Sequence, residues 1–216
     1  MVDTAAAYVN ERAVGRGIKA SGLPREDVYV STKLWPSDYE NENAVDETLE
    51  RLGLDYVDLL YIHQPAGNWL NGYRLLEKAY KEGKAKSIGI CNFEGEYIEE
   101  LKTKWEIAPQ FIQVEAHPYF TQKELRDTLK EDNVALMSWY PLGHGDASLR
   151  EEPIFAQLAE KYGKSPVQVI LRWHIQKGNS IIPGSKSPAH LADNLDIFDF
   201  ALTDDEMAEI AERKSM

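Results

Sequence analysis

Along this chain, short runs of apolar residues without alternation are separated by stretches whose apolar positions recur every three or four residues. The runs VYVST (28–32), VDLLYI (57–62), KSIGIC (86–91), FIQVE (111–115), ALMSWY (135–140) and SIIP (180–183) read as strands. Most are apolar nearly throughout, as parallel strands covered on both faces are. Between them the helical spacing is plain. Val14 and Ile18 lie four apart within 11–20, and Val45 and Leu49 within 42–52; Leu75, Leu76, Ala79 and Tyr80 share a stripe in 73–81, and Leu125 with Leu129 marks a further helix. Helices also read over 154–162 and 166–176, where Pro166 suits a first turn, and Thr203 with Glu206 forms a capping box for a last helix carrying Met207 and Ile210. Strand starts recur roughly every 25–30 residues, the length of one βα unit. No linker or low-complexity segment intervenes, so residues 1–216 read as a single parallel α/β domain, either doubly wound or a (β/α)8 barrel.

Composition narrows the partners. With 43% hydrophobic residues in 216, the chain can bury a substantial core. A formal net charge of -12 argues against nucleic acid, because phosphate binding wants a basic face. One cysteine excludes an internal disulfide framework and fits a reducing compartment. The apolar run YVDLLYI (56–62) is too short to span a bilayer, and the first residues show no signal-peptide pattern. The expectation is a cytoplasmic protein with no membrane partner.

The polar residues then separate the two folds. Lys33, His63 and Asn92 end successive strand runs; Glu115 and His117 follow FIQV, Tyr140 ends ALMSWY, Ser185 and Lys186 follow SIIPG, and Asp3 ends whatever strand comes first. Polar groups at the carboxyl ends of many strands mark the rim of a barrel, where βα loops build the site. A doubly wound sheet would concentrate its site at one switch point after a Gly-rich turn, and no GxGxxG occurs. Taken singly, Asp3, Tyr8, Lys33 and His63 each have an ordinary structural explanation. At equivalent barrel positions they make a proton-handling group. A free tyrosine has a pKa of about 10, and a lysine ammonium beside it stabilises the phenolate. An aspartate keeps the lysine charged and aimed, and a histidine orients a carbonyl oxygen. Proton transfer to an oxygen that becomes alkoxide-like requires a hydride donor. No HExxH or Cys/His cluster appears, and EAH (115–117) is a weak ligand pair, so no metal is expected.

These residues stand in motifs. DTAAAYVNE carries Asp3 and Tyr8, STKLW carries Lys33 and YIHQP carries His63; GICNF, QVEAHPY, WYPLGHG, VILRWHIQKG and IIPGSK follow. In this order they resemble the aldo-keto reductases over almost the whole chain. The resemblance implies a (β/α)8 TIM barrel that reduces aldehydes or ketones, a small-molecule carbonyl substrate, and NADP(H) as cofactor, with NAD(H) the alternative. It implies Tyr8 as general acid tuned by Lys33 and Asp3, with His63 positioning the carbonyl. Asn92 and Gln113 would hold the nicotinamide carboxamide, Trp139 would stack on the ring, and Leu142 and His144 would lie near the pyrophosphate. Ser185, Lys186, His190 and Asn194 would meet the adenosine end.

The chain departs from the family pattern in places. Cys91 stands where serine is common, read as a small buried thiol; the strand-eight lysine site is Gly184, the arginine site is His190, and the motif ends in Asp193 and Asn194. Lys186 is the expected cation for a 2′-phosphate. The family also carries a strand and helix ahead of the DTA turn and a C-terminal loop that shapes substrate choice. Against that pattern the chain reads as six strands and a stub at residues 1–3, a barrel incomplete at its N-terminus and truncated at both ends. Impaired activity follows as an expectation, as does self-association through exposed edges in a family otherwise monomeric. A non-catalytic nucleotide-binding or interaction protein on the same fold is the alternative to an enzyme.

Overall fold

A computed structural model describes residues 1–144 and 147–212 and divides the chain into two units, residues 1–112 with 132–134, and residues 113–131 with 135–216. In the first unit, the strands are β1 (Val2–Asp3), β2 (Val30–Leu34), β3 (Leu59–Ile62) and β4 (Ile88–Cys91). They lie in that order and all run parallel, with Asp3 opposite Ser31 and Lys33 opposite Tyr61. Every residue of β2, β3 and β4 is buried; β3 and β4 are accordingly apolar nearly throughout, whereas β2 buries Ser31, Thr32 and Lys33 between Val30 and Leu34. The connecting helices are α1 (Glu11–Ser21), α2 (Ala44–Leu52), α3 (Trp69–Lys81) and α4 (Glu96–Lys102). Asn68 starts α3 earlier than the apolar stripe suggests, because its side chain accepts from the Asn71 N–H at 3.3 Å.

The second unit carries β5 (Phe111–Glu115, which begins at the boundary), α5 (Lys123–Leu129), β6 (Ala135–Trp139), α6 (Ala147–Glu151), α7 (Pro153–Tyr162), α8 (Pro166–Gln176), β7 (Ser180–Ile181), α9 (Pro188–Leu195) and α10 (Asp204–Ala211). β6 and β7 pair in parallel, Met137 opposite Ser180. Leu149, Phe155, Val169, Ile170, Trp173 and Ile210 pack α6, α7, α8 and α10 into one apolar cluster. The expected capping box forms: Thr203 Oγ1 accepts from the Glu206 N–H and Glu206 Oε2 accepts from the Thr203 N–H at 2.8 Å. No described helix is long and apolar enough to cross a membrane.

Several boundaries differ from those read in the sequence. The strand expected at 28–32 runs from Val30 to Leu34 instead. Arg25 takes the Val28 carbonyl at 2.5 Å, and Asp58, held by the same arginine, accepts the Val30 N–H at 2.9 Å. That pair of bonds keeps Val28 out of the ladder, while pairing with Tyr61 and Ile62 of β3 carries the strand past Lys33 to Leu34. The run 135–140 stops at Trp139 because Tyr140 turns to φ 48°. Three helices, α4, α6 and α9, were not expected; α9 buries no side chain, so no apolar stripe announces it.

One glycine sets a close approach that matters for the site. A Cβ on Gly72 would lie 2.6 Å from the Tyr39 ring. Tyr39 is fully buried, and its hydroxyl donates to the Gln64 carbonyl at 2.9 Å and accepts from the Gln64 N–H at 3.1 Å. Gly72 thus lets Tyr39 brace the segment that follows β3. Gly72→Ala should therefore destabilise the protein by about 1–3 kcal/mol, read as a lower urea midpoint with an unchanged m-value.

Candidate functional site

The first unit brings Asp3, Tyr8, Lys33 and His63 together. Lys33 is fully buried; its Nζ donates to Asp3 Oδ2 at 2.6 Å and to the Thr4 carbonyl at 2.9 Å. Asp3 Oδ1 accepts from Ser31 Oγ at 2.7 Å, so both carboxylate oxygens are engaged from β2. Tyr8 ends a single 3-10 turn, Ala6–Tyr8, and Lys33 Nζ lies 5.4 Å from its ring centroid. His63 follows β3 and meets the Tyr8 ring edge-on, centroids 5.8 Å apart, while Trp35 closes on it from another direction at 5.0 Å. Burial, then the Lys33 charge, lowers the His63 pKa to about 4, with Asp3 opposing. The ring is therefore neutral near neutrality. Its Nδ1 is buried with no hydrogen-bond partner among the described residues.

The turn bearing Tyr8 is tied down at both ends. Thr4 Oγ1 donates to Asn10 Oδ1 at 2.6 Å, closing the loop across the turn. Glu11, almost wholly buried, accepts from Thr32 Oγ1 at 2.7 Å and from Arg51 Nε at 2.6 Å, joining α1 to the strand that holds Lys33. Val9 leaves the turn at φ 54°, an uncommon conformation for a β-branched residue. Asn92 follows β4 at φ 60° and donates from Nδ2 to the His63 carbonyl at 3.3 Å. Cys91 is buried, which pushes its thiol pKa well up despite Lys33 and agrees with a packed, unreactive thiol.

The second unit holds the remaining residues singled out by sequence. Gln113 is buried, its amide 3.3 Å from the Met137 sulfur. Trp139, Tyr140 and His144 form an aromatic group, with Trp139 and Tyr140 centroids 4.8 Å apart and Tyr140 and His144 4.0 Å apart. Leu142 packs partly buried against the helical core. Gly145, the last residue of the WYPLGHG motif, lies outside the described residues. At the start of α9, Ser185 Oγ accepts from the Ser187 N–H at 3.1 Å, and Ser187 caps the His190 N–H at 3.4 Å. Lys186 and His190 are exposed there, and Asn194 is half-buried on the same helix. A lysine and a histidine at a helix N-terminus suit a phosphate group.

Some participants were not singled out by sequence. Trp35 packs on His63; it lies within STKLW, but nothing in the motif signals that contact. Glu115, read as half of a weak ligand pair, shares Oε1 between His117 Nε2 at 3.1 Å and His144 Nε2 at 2.7 Å. Its identity at a strand end was the available signal, but the long-range partner was not readable.

A family model described as "Aldo/keto reductase family" matches residues 1–214. The glyoxal reductase of Bacillus subtilis (strain 168) is 45% identical over 213 residues, covering 97% of this chain and 76% of that protein. Among solved structures, an aldo/keto reductase from Brucella melitensis superposes with a TM-score of 0.91 at 42% identity, covering 97% of this chain and 82% of the other. A Bombyx mori aldo-keto reductase in complex with NADP gives 0.88 at 35% identity, covering 97% of this chain and 76% of the other. The βα units described above are accordingly those of the (β/α)8 barrel, with seven strands among the described residues.

The His63 environment fixes a sign. Its folded pKa of about 4 lies below the ordinary 6.5, so the stability it contributes is full above 6.5 and is lost as pH falls toward 4. Ring NMR should show His63 neutral until the pH nears 4; titration at the ordinary value would contradict the burial argument.

Proposed function

The chain belongs to the aldo-keto reductase family, and from that premise we propose that it reduces an aldehyde or ketone to the alcohol, with Tyr8 as proton donor and NADPH as hydride source. The observation that carries this reading is the Lys33–Asp3 ion pair, 2.6 Å long and buried beside the Tyr8 ring. When bound, the nicotinamide supplies the hydride. The chain's own residues manage the proton and the oxygen. As charge develops on the carbonyl oxygen, Tyr8 gives up its phenolic proton to it, and the Lys33 ammonium favours the phenolate that remains. Asp3 holds the ammonium in place through Oδ2. His63, neutral, offers a hydrogen bond that orients the carbonyl without adding a second cation beside Lys33.

Asn92 and Gln113 would hold the carboxamide, Trp139 would stack on the nicotinamide, and Leu142 and His144 would border the pyrophosphate. Ser185, Lys186, His190 and Asn194 would take the adenosine end. Lys186 is the cation proposed for the 2′-phosphate, supported by its exposure just ahead of α9. The Bombyx mori relative's complex with NADP supports the phosphorylated cofactor.

Two experiments test the reading. Tyr8→Phe should lower kcat for a reactive aldehyde by about 10²–10⁴ while leaving NADPH affinity within about twofold; a variant that reduces aldehyde at the wild-type rate would exclude Tyr8 as the donor. Lys186→Ala should narrow the preference for NADPH over NADH, measured as the ratio of kcat/KM values. An unchanged ratio would remove Lys186 from the phosphate site.

A further inference from the structure

His174 lies on α8 with no solvent exposure, and carbonyl chemistry makes no use of it. Both its ring nitrogens are engaged: Nε2 is 3.0 Å from the Pro141 carbonyl oxygen, and Nδ1 is 2.9 Å from the Asn179 side-chain nitrogen. A carbonyl only accepts and an amide NH2 only donates, so Nε2 carries the hydrogen and Nδ1 is the bare acceptor. The Asn179 amide cannot be reversed, because its oxygen accepts from the Arg126 guanidinium. Arg126, on α5, is itself held by Nε donating to the Thr121 carbonyl at 3.1 Å. Every donor therefore points one way, from Arg126 through Asn179 and His174 to Pro141.

Protonating His174 would set a second N–H against the Asn179 NH2. Burial already drives the pKa down to about 3, with Arg126 and His117 adding to it and the Pro141 carbonyl opposing. The ring is locked in one neutral tautomer. Its terminus, Pro141, sits in the turn that carries Trp139, Leu142 and His144. That turn has reason to need an anchor: Tyr140 adopts φ 48° and His144 φ 54°, conformations disfavoured for residues with a Cβ. Gly143, at φ 66°, closes it with an N–H bond to the Tyr140 carbonyl at 2.9 Å.

We propose that His174 is a positioning residue which, by donating to Pro141 from a single fixed tautomer, holds the Trp139–His144 turn and thereby sets the affinity for the nicotinamide nucleotide; this rests on the reading of Trp139, Leu142 and His144 as cofactor contacts. Two variants separate positioning from bulk. His174→Leu fills the space and loses both hydrogen bonds, whereas His174→Gln keeps an amide N–H for Pro141. NADPH affinity is followed by tryptophan fluorescence quenching, the turn by the Trp139 indole resonance without cofactor, and folding by Tm. His174→Leu should shift the indole resonance and weaken NADPH binding about tenfold, with kcat at saturating NADPH little changed. His174→Gln should restore most of both. An unmoved resonance and wild-type affinity in folded His174→Leu would overturn the role, as would a His174→Gln variant no better than the leucine one. Should His174→Leu fail to fold, Asn179→Ala releases the tautomer and is expected to shift the same resonance; no shift would overturn the proposal. If the wild type binds no nicotinamide nucleotide, the functional reading fails with the affinity claim, and the indole shift alone decides whether His174 positions the turn.

Discussion

A fully buried ammonium is the constraint around which the first unit is arranged. An uncompensated cation in the interior costs several kcal/mol, so Lys33 can exist in β2 only with its partners in place. Those partners are Asp3 and the Thr4 carbonyl, both contributed by the first four residues. A strand of two residues thereby becomes indispensable. The Val2 and Thr4 N–H groups bond to the Tyr29 and Ser31 carbonyls at 2.8 and 2.9 Å, fixing the register that places Asp3 beside Ser31. A slip of one residue would turn Asp3 to the opposite face and leave the ammonium alone. The ion pair, the register and the position of Tyr8 are one requirement seen at three levels.

The same unit shows why the candidate site residues stand out in the sequence more than the strand boundaries do. β3 and β4, buried on both faces, appear as nearly unbroken apolar runs, so His63 and Asn92 stand out just beyond their ends, and Lys33 stands out as a charge within a buried strand. The starts of the runs carry no such contrast. Val28 is as apolar as Val30, and only the Arg25 and Asp58 side chains, reaching in from elsewhere in the chain, decide which of them joins the ladder. In the second unit, His174 reads correctly as a residue of a helical pattern. Its partners, Pro141 and Asn179, are set by how α8 packs and leave no mark in the local spacing. A helix such as α9, stabilised by Ser187 and Pro188 at its start, has no period to find.

Three histidines show how far environment separates identical side chains. His63 is kept neutral by burial and by the neighbouring lysine, which suits the carbonyl-orienting role proposed for it. His174 is kept neutral by burial and by a donor already pointing at its acceptor nitrogen. His144 stands half in solvent, its Nε2 2.7 Å from Glu115 Oε1. Proton affinity at His63 and His174 is assigned by the surroundings.

The helix α9 buries none of its side chains, and Leu191 and Leu195 are exposed at 45% and 73%. It is joined to the rest by polar bonds such as those from Gln168 Nε2 to the Asp193 and Asp196 carbonyls, which engage backbone and not side chains. Substitution along its surface therefore changes little in the packed interior, since most exposed replacements shift stability by less than about 0.5 kcal/mol. Lys33 can scarcely change without unfolding what surrounds it, whereas residues along α9 are free to vary. The side chains of α9 can therefore be exchanged one for another with little consequence for the packing beneath the helix.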